Sequence, residues 1–196
     1  MQDFGNWENY KCISIAECDQ RLIDRFWISE DKDAEGLVYY LRSPDGAKLE
    51  EEDDTARTYV VIDTVMDCIV GYFTLRAGQC HLNVGSFFRR KYKVLPGIEL
   101  AMLAVNDCYR EICNPVSFSF GEMIYKKFAV PKIEAVSKLV GVKVVYIFAL
   151  PYKPSLVNFY KKLGFVNPNY ASGNKRRIHT MTPAFDSGCV FMFQTL

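Results

Sequence analysis

The chain has 196 residues, of which 49% are apolar and 24% are charged, and its formal net charge at pH 7 is +1. This composition predicts one folded domain over residues 1–196 and excludes an intrinsically disordered chain. A net charge near zero argues against a partner held mainly by electrostatics, such as bulk nucleic acid or an anionic membrane. The longest apolar run, Val144 to Leu150, is too short to cross a bilayer, so we expect no membrane partner.

The cysteines and histidines are scattered. The 7 cysteines form no CxxC pair, and the start of the chain lacks the basic end and apolar run of a signal peptide. We therefore expect a cytoplasmic protein with free, mostly buried thiols. His81 and His179 are isolated in sequence and have no cysteine nearby, so we expect no metal site.

The N-terminal region predicts a strand over 9–16 and two helices, over 18–29 and 33–42, from apolar residues at helical spacing. Turn residues at 43–46 end the second helix. A run of five acids follows at 50–54. It is interpreted either as a solvated loop or as a site for a cation or a basic substrate.

The next region is rich in β-formers. Segments 57–63 and 68–75 predict an antiparallel hairpin, in which Gly71 marks a bulge or a close backbone approach. The basic cluster at 89–93 lies either near a phosphate or in an exposed loop. Pro96-Gly97 predicts a turn, and 98–105 predicts a central strand buried on both faces.

The C-terminal half predicts a crossover between parallel strands. An irregular segment is expected over 106–118, then a helix over 119–139 with a kink at Pro131. The remaining predicted elements are a strand at 142–150, a short helix carrying Tyr160 that ends at Gly164, a loop at 167–188 and a last strand at 189–195.

Two segments resemble signatures of the GNAT superfamily of acyl-CoA-dependent N-acyltransferases. Leu103-Ala104-Val105 is similar to the end of that family's fourth strand. Asn158-Phe159-Tyr160-Lys161-Lys162-Leu163-Gly164-Phe165 is similar to its late helix-to-strand motif. The resemblance covers roughly residues 57–166. It implies an α/β (α+β) fold with a central, mixed, mostly antiparallel twisted sheet that is splayed in the middle and flanked by helices.

The resemblance implies an N-acetyltransferase that moves an acetyl group from acetyl-CoA to a primary amine by direct attack in a ternary complex. It assigns Tyr160 as the acid that protonates the leaving thiolate, against the alternative of a buried tyrosine bonded to a backbone carbonyl. It assigns Glu99 as a base acting through water, against a structural glutamate paired with a basic side chain. The residues implied in acetyl-CoA binding are Leu103, Ala104, Val105, Arg110, Ser119, Phe120, Gly121, Glu122 and Phe159.

The phosphate-binding loop departs from the family pattern. After Val105 the sequence continues Tyr109-Arg110-Glu111-Ile112-Cys113-Asn114-Pro115, without the expected glycines, and the nearest glycine is Gly121. We interpret this as a lengthened loop, in which Arg110 either contacts a phosphate or is simply exposed. The acidic Glu122 is mildly unfavourable beside phosphates.

The sequence does not decide whether the acceptor is a small-molecule amine or a peptide. A narrower hypothesis is a toxin-like enzyme acting on aminoacyl-tRNA, which the near-neutral charge does not favour. Another is a GNAT-fold binding module that has lost catalysis. A homodimer is also compatible with the sequence.

Overall fold

A computed structural model describes residues 7–29, 32–84, 91–113, 119–150, 153–171, 173, 177–180 and 188–196. Its strands are β1 Tyr10–Ser14, β2 Arg57–Asp63, β3 Cys68–Asn83, β4 Tyr92–Val105, β5 Val144–Ala149, β6 Ile178–Thr180 and β7 Val190–Thr195. Its helices are α1 Gln20–Asp24, α2 Lys32–Arg42, α3 Leu49–Glu52, α4 Asp107–Cys113, α5 Phe120–Met123, α6 Val130–Val140 and α7 Pro154–Lys162. Wide, π-type turns lie at Pro44–Lys48 and Ile124–Ala129.

The strand order is β1-β2-β3-β4-β5-β7, with β6 paired to β3. The pairs β1–β2, β2–β3, β3–β6 and β5–β7 are antiparallel, and β4–β5 is parallel. The sheet is therefore mixed and mostly antiparallel, as predicted. Within the described part of the chain, no helix is long and apolar enough to cross a bilayer.

The sheet is splayed between β4 and β5. Their parallel pairing covers three positions and ends at Glu99 opposite Tyr146. The β5–β7 pairing continues beyond that point to Ala149 opposite Val190. Beyond Tyr146, β5 is therefore paired with β7 but, in the described pairing, not with β4. This confirms the predicted splay.

The chain divides into two compact units, residues 1–75 with 102–131 and residues 76–101 with 132–196. The first has a core of apolar side chains from its helices and strands, including Ile23, Phe26, Leu41, Val60, Tyr72 and Ala104. The second has a core cluster of Cys80, Val144, Tyr146, Ile178 and Phe193. That residues 1–196 act as one domain stays a prediction.

Gly71 lies where two strands of the first unit approach closely. A Cβ atom there would overlap the carbonyl oxygen of Ala104 and would lie 2.5 Å from Cδ1 of Ile124. The β2–β3 register also shifts between Val61 and Ile62, the residues beside the Val61–Gly71 pair. The predicted bulge and the predicted close approach are both present, because only glycine fits this contact.

The predicted long helix is present over 120–140. A π-type turn at Ile124–Ala129 comes immediately before Val130 and Pro131. Pro131 has no N–H to donate to the preceding turn, which accounts for the departure from regular helix geometry. Gly141, with φ +71°, ends the helix, and its N–H donates to Ser137.

Several predicted elements were wrong in extent. Pro96-Gly97 forms no turn and lies inside β4, where Gly97 pairs with Val144. The segment expected to be irregular contains α4, and residues 114–118 lie outside the described residues. The helix expected over 18–29 is limited to α1, because tertiary hydrogen bonds hold the chain beyond it.

The thiols are also less buried than expected. All seven cysteines are free, and only Cys18 and Cys80 are buried. The prediction of free thiols is confirmed, and the prediction that most are buried is wrong.

Candidate active site

Helix α7 ends in a left-handed glycine cap that positions Tyr160. Gly164 has φ +98°, which L side chains rarely adopt. Its N–H donates to Lys161 O and the N–H of Phe165 donates to Tyr160 O, each over 3.0 Å. This pair of bonds is the Schellman motif, and the edge-to-face contact of the Tyr160 and Phe165 rings at 5.7 Å is its usual apolar contact.

Tyr160 is covered by aromatic neighbours. Its residue exposure is 8%, and its ring also contacts Phe159 edge to face at 5.3 Å. Burial raises its pKa, so the phenol keeps its proton at neutral pH. The choice between an acid and a buried tyrosine bonded to a backbone carbonyl stays a prediction.

Glu99 lies on the partly exposed face of β4. Ile98 and Leu100 are buried, whereas Glu99, Leu103 and Val105 are half-buried. Because successive strand residues point to opposite faces, Glu99 shares a face with Leu103. The expectation that both faces of this strand are buried was wrong.

The end of β4 lies in the first unit. Ala104 packs into the core, and its carbonyl oxygen lies against Gly71. Leu103 and Val105 project from the opposite, half-buried face. A small residue is therefore required at Gly71 to let the end of this strand lie where it does.

The start of the long helix is capped by Ser119. Its hydroxyl oxygen accepts from the N–H of Glu122 over 3.3 Å. The Glu122 carboxylate pairs with Lys126 at 2.7 Å, which offsets the negative charge expected to be unfavourable there. Phe120 is buried edge to face against Tyr109, and Gly121 is buried beside it.

Arg110 lies on α4 and not in an irregular loop. Its guanidinium pairs with the Asp107 carboxylate at 3.0 Å, and its side chain is 57% exposed. The contact of Arg110 with a phosphate stays a prediction. Arg89 and Arg90 of the basic cluster lie outside the described residues.

Asn106 and Asp107 organise the segment after α1, which sequence analysis missed. The fully buried Asn106 amide donates to Ile69 O over 2.8 Å and accepts from the N–H of Trp27 over 3.3 Å. Asp107 accepts from the N–H of Ser29 over 2.8 Å. A polar Asn-Asp pair directly after an apolar strand was the available signal.

Two of the five acids are held by hydrogen bonds, and the other three, at 52–54, are exposed. Glu50 accepts from the Tyr40 hydroxyl over 2.7 Å, and Glu51 accepts from the N–H of Thr58 and from Ser14. Both side chains therefore anchor α3 to the first unit. Neither the solvated-loop interpretation nor the substrate-site interpretation describes these two residues.

His81 and His179, expected to be isolated, lie directly opposite each other across β3 and β6. Their rings stack at 5.3 Å, and His81 also contacts Tyr92 edge to face. Burial and the second histidine lower the pKa of His81. No group of three or more His, Cys, Asp or Glu residues that could hold a metal occurs among the residues described.

No protein-family model matches the sequence, and no curated protein matches it. A solved tyrosine-to-phenylalanine mutant of the toxin AtaT matches in fold, with a TM-score of 0.69, 17% identity, and coverage of 100% of this chain and 94% of that chain. The AtaT mutant bound to the C-terminus of the antitoxin AtaR and acetyl-CoA matches with a TM-score of 0.61, 18% identity, and coverage of 95% and 93%. A tyrosine-to-phenylalanine mutant of KacT matches with a TM-score of 0.65, 19% identity, and coverage of 95% and 95%.

The predicted GNAT-like fold is confirmed. The likeness to these structures extends over nearly the whole of both chains, and it includes the N-terminal helices that the sequence motifs did not cover. At this level of identity it establishes the fold.

Proposed function

We propose that the protein is an N-acetyltransferase that transfers an acetyl group from acetyl-CoA to a primary amine. The observation that carries the proposal is the end of the β4–β5 pairing at Glu99 opposite Tyr146. Beyond it, strand edges are left without a ladder partner in the described pairing. An extended, amide-bearing arm such as pantetheine can pair with such an edge as an added strand.

Acetyl-CoA supplies a thioester whose carbonyl carbon an amine can attack. The residues implied at the end of β4, Leu103 to Val105, offer backbone groups to the amide-bearing arm. The Val105 N–H is the proposed donor to the thioester oxygen, where negative charge develops.

The start of the long helix is the proposed phosphate site. The Ser119 hydroxyl accepts from the N–H of Glu122, and the first N–H groups of a helix point out of its N-terminal end, where an anion can accept from them. The positive end of the helix dipole favours negative charge at this position. Arg110 is proposed to add a flexible cation to the same phosphates, and Phe159 is proposed to contact the donor beside Tyr160.

Tyr160 is the proposed acid. A phenol holds its proton at neutral pH and can give it to a leaving thiolate, and burial, which raises the pKa of Tyr160, makes it a weaker acid than a free tyrosine. Its ring is fixed by Phe159 and Phe165, so little conformational entropy is lost when the proton is transferred. Glu99 is the proposed base, which accepts the amine proton through water.

A second candidate function is acetylation of the amino group of aminoacyl-tRNA. The observation that favours it is the likeness over nearly the whole chain to the toxin AtaT and to KacT. The formal net charge of +1 disfavours it, because RNA is bound mainly through basic surfaces. Because the AtaT mutant has been solved with the C-terminus of the antitoxin AtaR, a protein partner is part of this second proposal.

Thermal unfolding with acetyl-CoA tests the donor. A ligand that binds only the folded protein stabilises it by about 2.7 kcal/mol at a hundredfold excess over its Kd. We expect a rise in Tm with acetyl-CoA, and a smaller rise with a shortened donor that lacks the phosphates. No rise at saturating acetyl-CoA would favour a binding module and count against the enzyme.

A further inference from the structure

A continuous row of four aromatic rings crosses the second unit. Tyr146 and Phe148 alternate along β5, opposite Phe193 and Phe191 on β7. The ring centroids of neighbouring members lie 5.9 to 6.0 Å apart. The four side chains therefore share one face of the sheet.

The inner two rings of this row are buried in the core, and the outer two are partly exposed. Tyr146 and Phe193 have no exposed surface, whereas Phe148 and Phe191 are only partly buried. The core cluster of this unit draws on strand residues and Val166, with no helix residue among its described members. The outer two rings lie beyond the last β4–β5 pair, at the splayed end of the sheet.

Glu99 adds a carboxylate to the same face. In the parallel register it lies opposite Tyr146, and directly opposed residues of paired strands point to the same side. Among the paired positions Gly97, Glu99, Val144, Tyr146, Phe148, Phe191 and Phe193, Glu99 alone carries a charge. A carboxylate beside aromatic rings attracts an ammonium group and repels a phosphate.

We propose that Phe148 and Phe191 select the acceptor, and that they favour a primary amine with a flat or apolar group next to its amino group. The inference rests on the proposed function, in which Glu99 accepts the proton of the amine, so the acceptor is expected on the face that carries Glu99. Glu99 takes the ammonium end, and the two rings take the flat or apolar group by stacking and burial. A small polar amine can bind the Glu99 carboxylate, but it has no flat or apolar group to stack on the two rings.

The test compares phenylalanine amide with glycine amide, two acceptors that differ in their side chain. With saturating acetyl-CoA, we expect kcat/KM to be at least about tenfold higher for phenylalanine amide, since burying its phenyl group is worth roughly ten- to 150-fold. Phe148→Ala and Phe191→Ala should each remove most of this preference and leave glycine amide within about twofold. Equal rates for the two amides, or an equal loss on both in the variants, overturns the inference.

Two further variants make the test specific. Phe148→Leu keeps the apolar volume and loses the flat ring, so it preserves the fold if Phe148→Ala does not, and it should still lower the preference. Tyr92→Ala is the matched control, because Tyr92 is an exposed aromatic residue on the other face of β4. A loss of preference in Tyr92→Ala as large as in Phe148→Ala contradicts the assignment.

A binding measurement distinguishes failure of this inference from failure of the proposed function. Calorimetric titration of the full chain with each amide, in the presence of CoA, reports the subsite without turnover. Preferential binding of phenylalanine amide that is lost in Phe191→Ala supports the subsite even if no acetyl group is transferred, and in that case it is the proposed function that fails. Turnover of amines with no binding preference leaves the function intact and overturns the subsite.

Discussion

The N–H of Phe165 donates to the carbonyl oxygen of Tyr160 over 3.0 Å, and the rings of the same two residues meet edge to face at 5.7 Å. The backbone bond and the ring contact together fix the last turn of α7 against the segment that follows. The proposed acid is thereby positioned by a helix cap, and the cap depends on the left-handed backbone at Gly164.

Gly164→Ala tests this dependence. An L side chain at φ +98° is strained, so we expect a loss of about 1–2 kcal/mol in the free energy of unfolding. Gly36→Ala is the matched control, because Gly36 lies in α2 with open space around a new Cβ atom. There the change should stabilise by about 0.5–1 kcal/mol. Urea unfolding measures both, and effects of the same sign would contradict the cap.

Asn106→Ala should destabilise the first unit by about 1–3 kcal/mol, because it leaves buried backbone groups without their partners. The affected groups are the N–H of Trp27 and the carbonyl of Ile69. Hydrogen exchange should show loss of protection at the Trp27 amide. Asn169→Ala, at an exposed asparagine, is the control and should change stability by less than about 0.5 kcal/mol. An unchanged exchange rate at Trp27 would contradict the anchoring role of Asn106.

The sequence predicted the features that depend on local pattern. Alternating β-formers predicted the β2–β3 hairpin, and the terminal glycine of α7 predicted the left-handed cap. Gly71 predicted a close approach because a glycine inside a strand often marks a bulge or a tight backbone contact. The splay followed from the GNAT resemblance. The crossover followed from the order of a strand, a helix and a strand.

The features that sequence missed depend on contacts between distant residues. The segment after α1 has helical spacing, but its N–H groups bond to Asn106 and Asp107, which lie 79 and 78 positions away. His81 and His179 come together only because β6 pairs with β3. The aromatic row similarly requires the β5–β7 register, which no local pattern determines.

The His81–His179 pair predicts a pH-dependent stability. Burial and the second histidine lower the pKa of His81 from its ordinary 6.5 in the folded state, so the unfolded chain binds its proton more readily. Above that value His81 is neutral in both states and does not reduce the free energy of unfolding. As pH drops below it, the free energy of unfolding falls. Urea unfolding at about pH 7.5 and about pH 5.5 measures the loss.

His179→Gln is the control for this effect. It removes one of the two causes that lower the pKa of His81, so the loss of stability on acidification should become smaller. NMR titration of the His81 ring should show a higher pKa in the variant. A lower pKa, or the same loss of stability, would exclude repulsion between the two imidazoles.

Glu99→Gln should lower kcat/KM about a hundredfold or more near neutral pH, where the amine is protonated and a general base is needed. The deficit should shrink as pH rises toward the pKa of the acceptor amine, because more of the acceptor is already unprotonated. A pH–rate profile with one amine measures it. A deficit that is constant with pH would assign Glu99 a structural role.

Tyr160→Phe tests most directly whether Tyr160 protonates the leaving thiolate, on which the proposed mechanism depends. The variant keeps the ring contacts with Phe159 and Phe165 and removes only the hydroxyl, so folding and acetyl-CoA affinity should be nearly unchanged. Acetyl transfer to an amine, followed by release of free CoA thiol, should fall by about a hundredfold or more. The same turnover in Tyr160→Phe and in the wild type would contradict the acid role and return Tyr160 to a packing role.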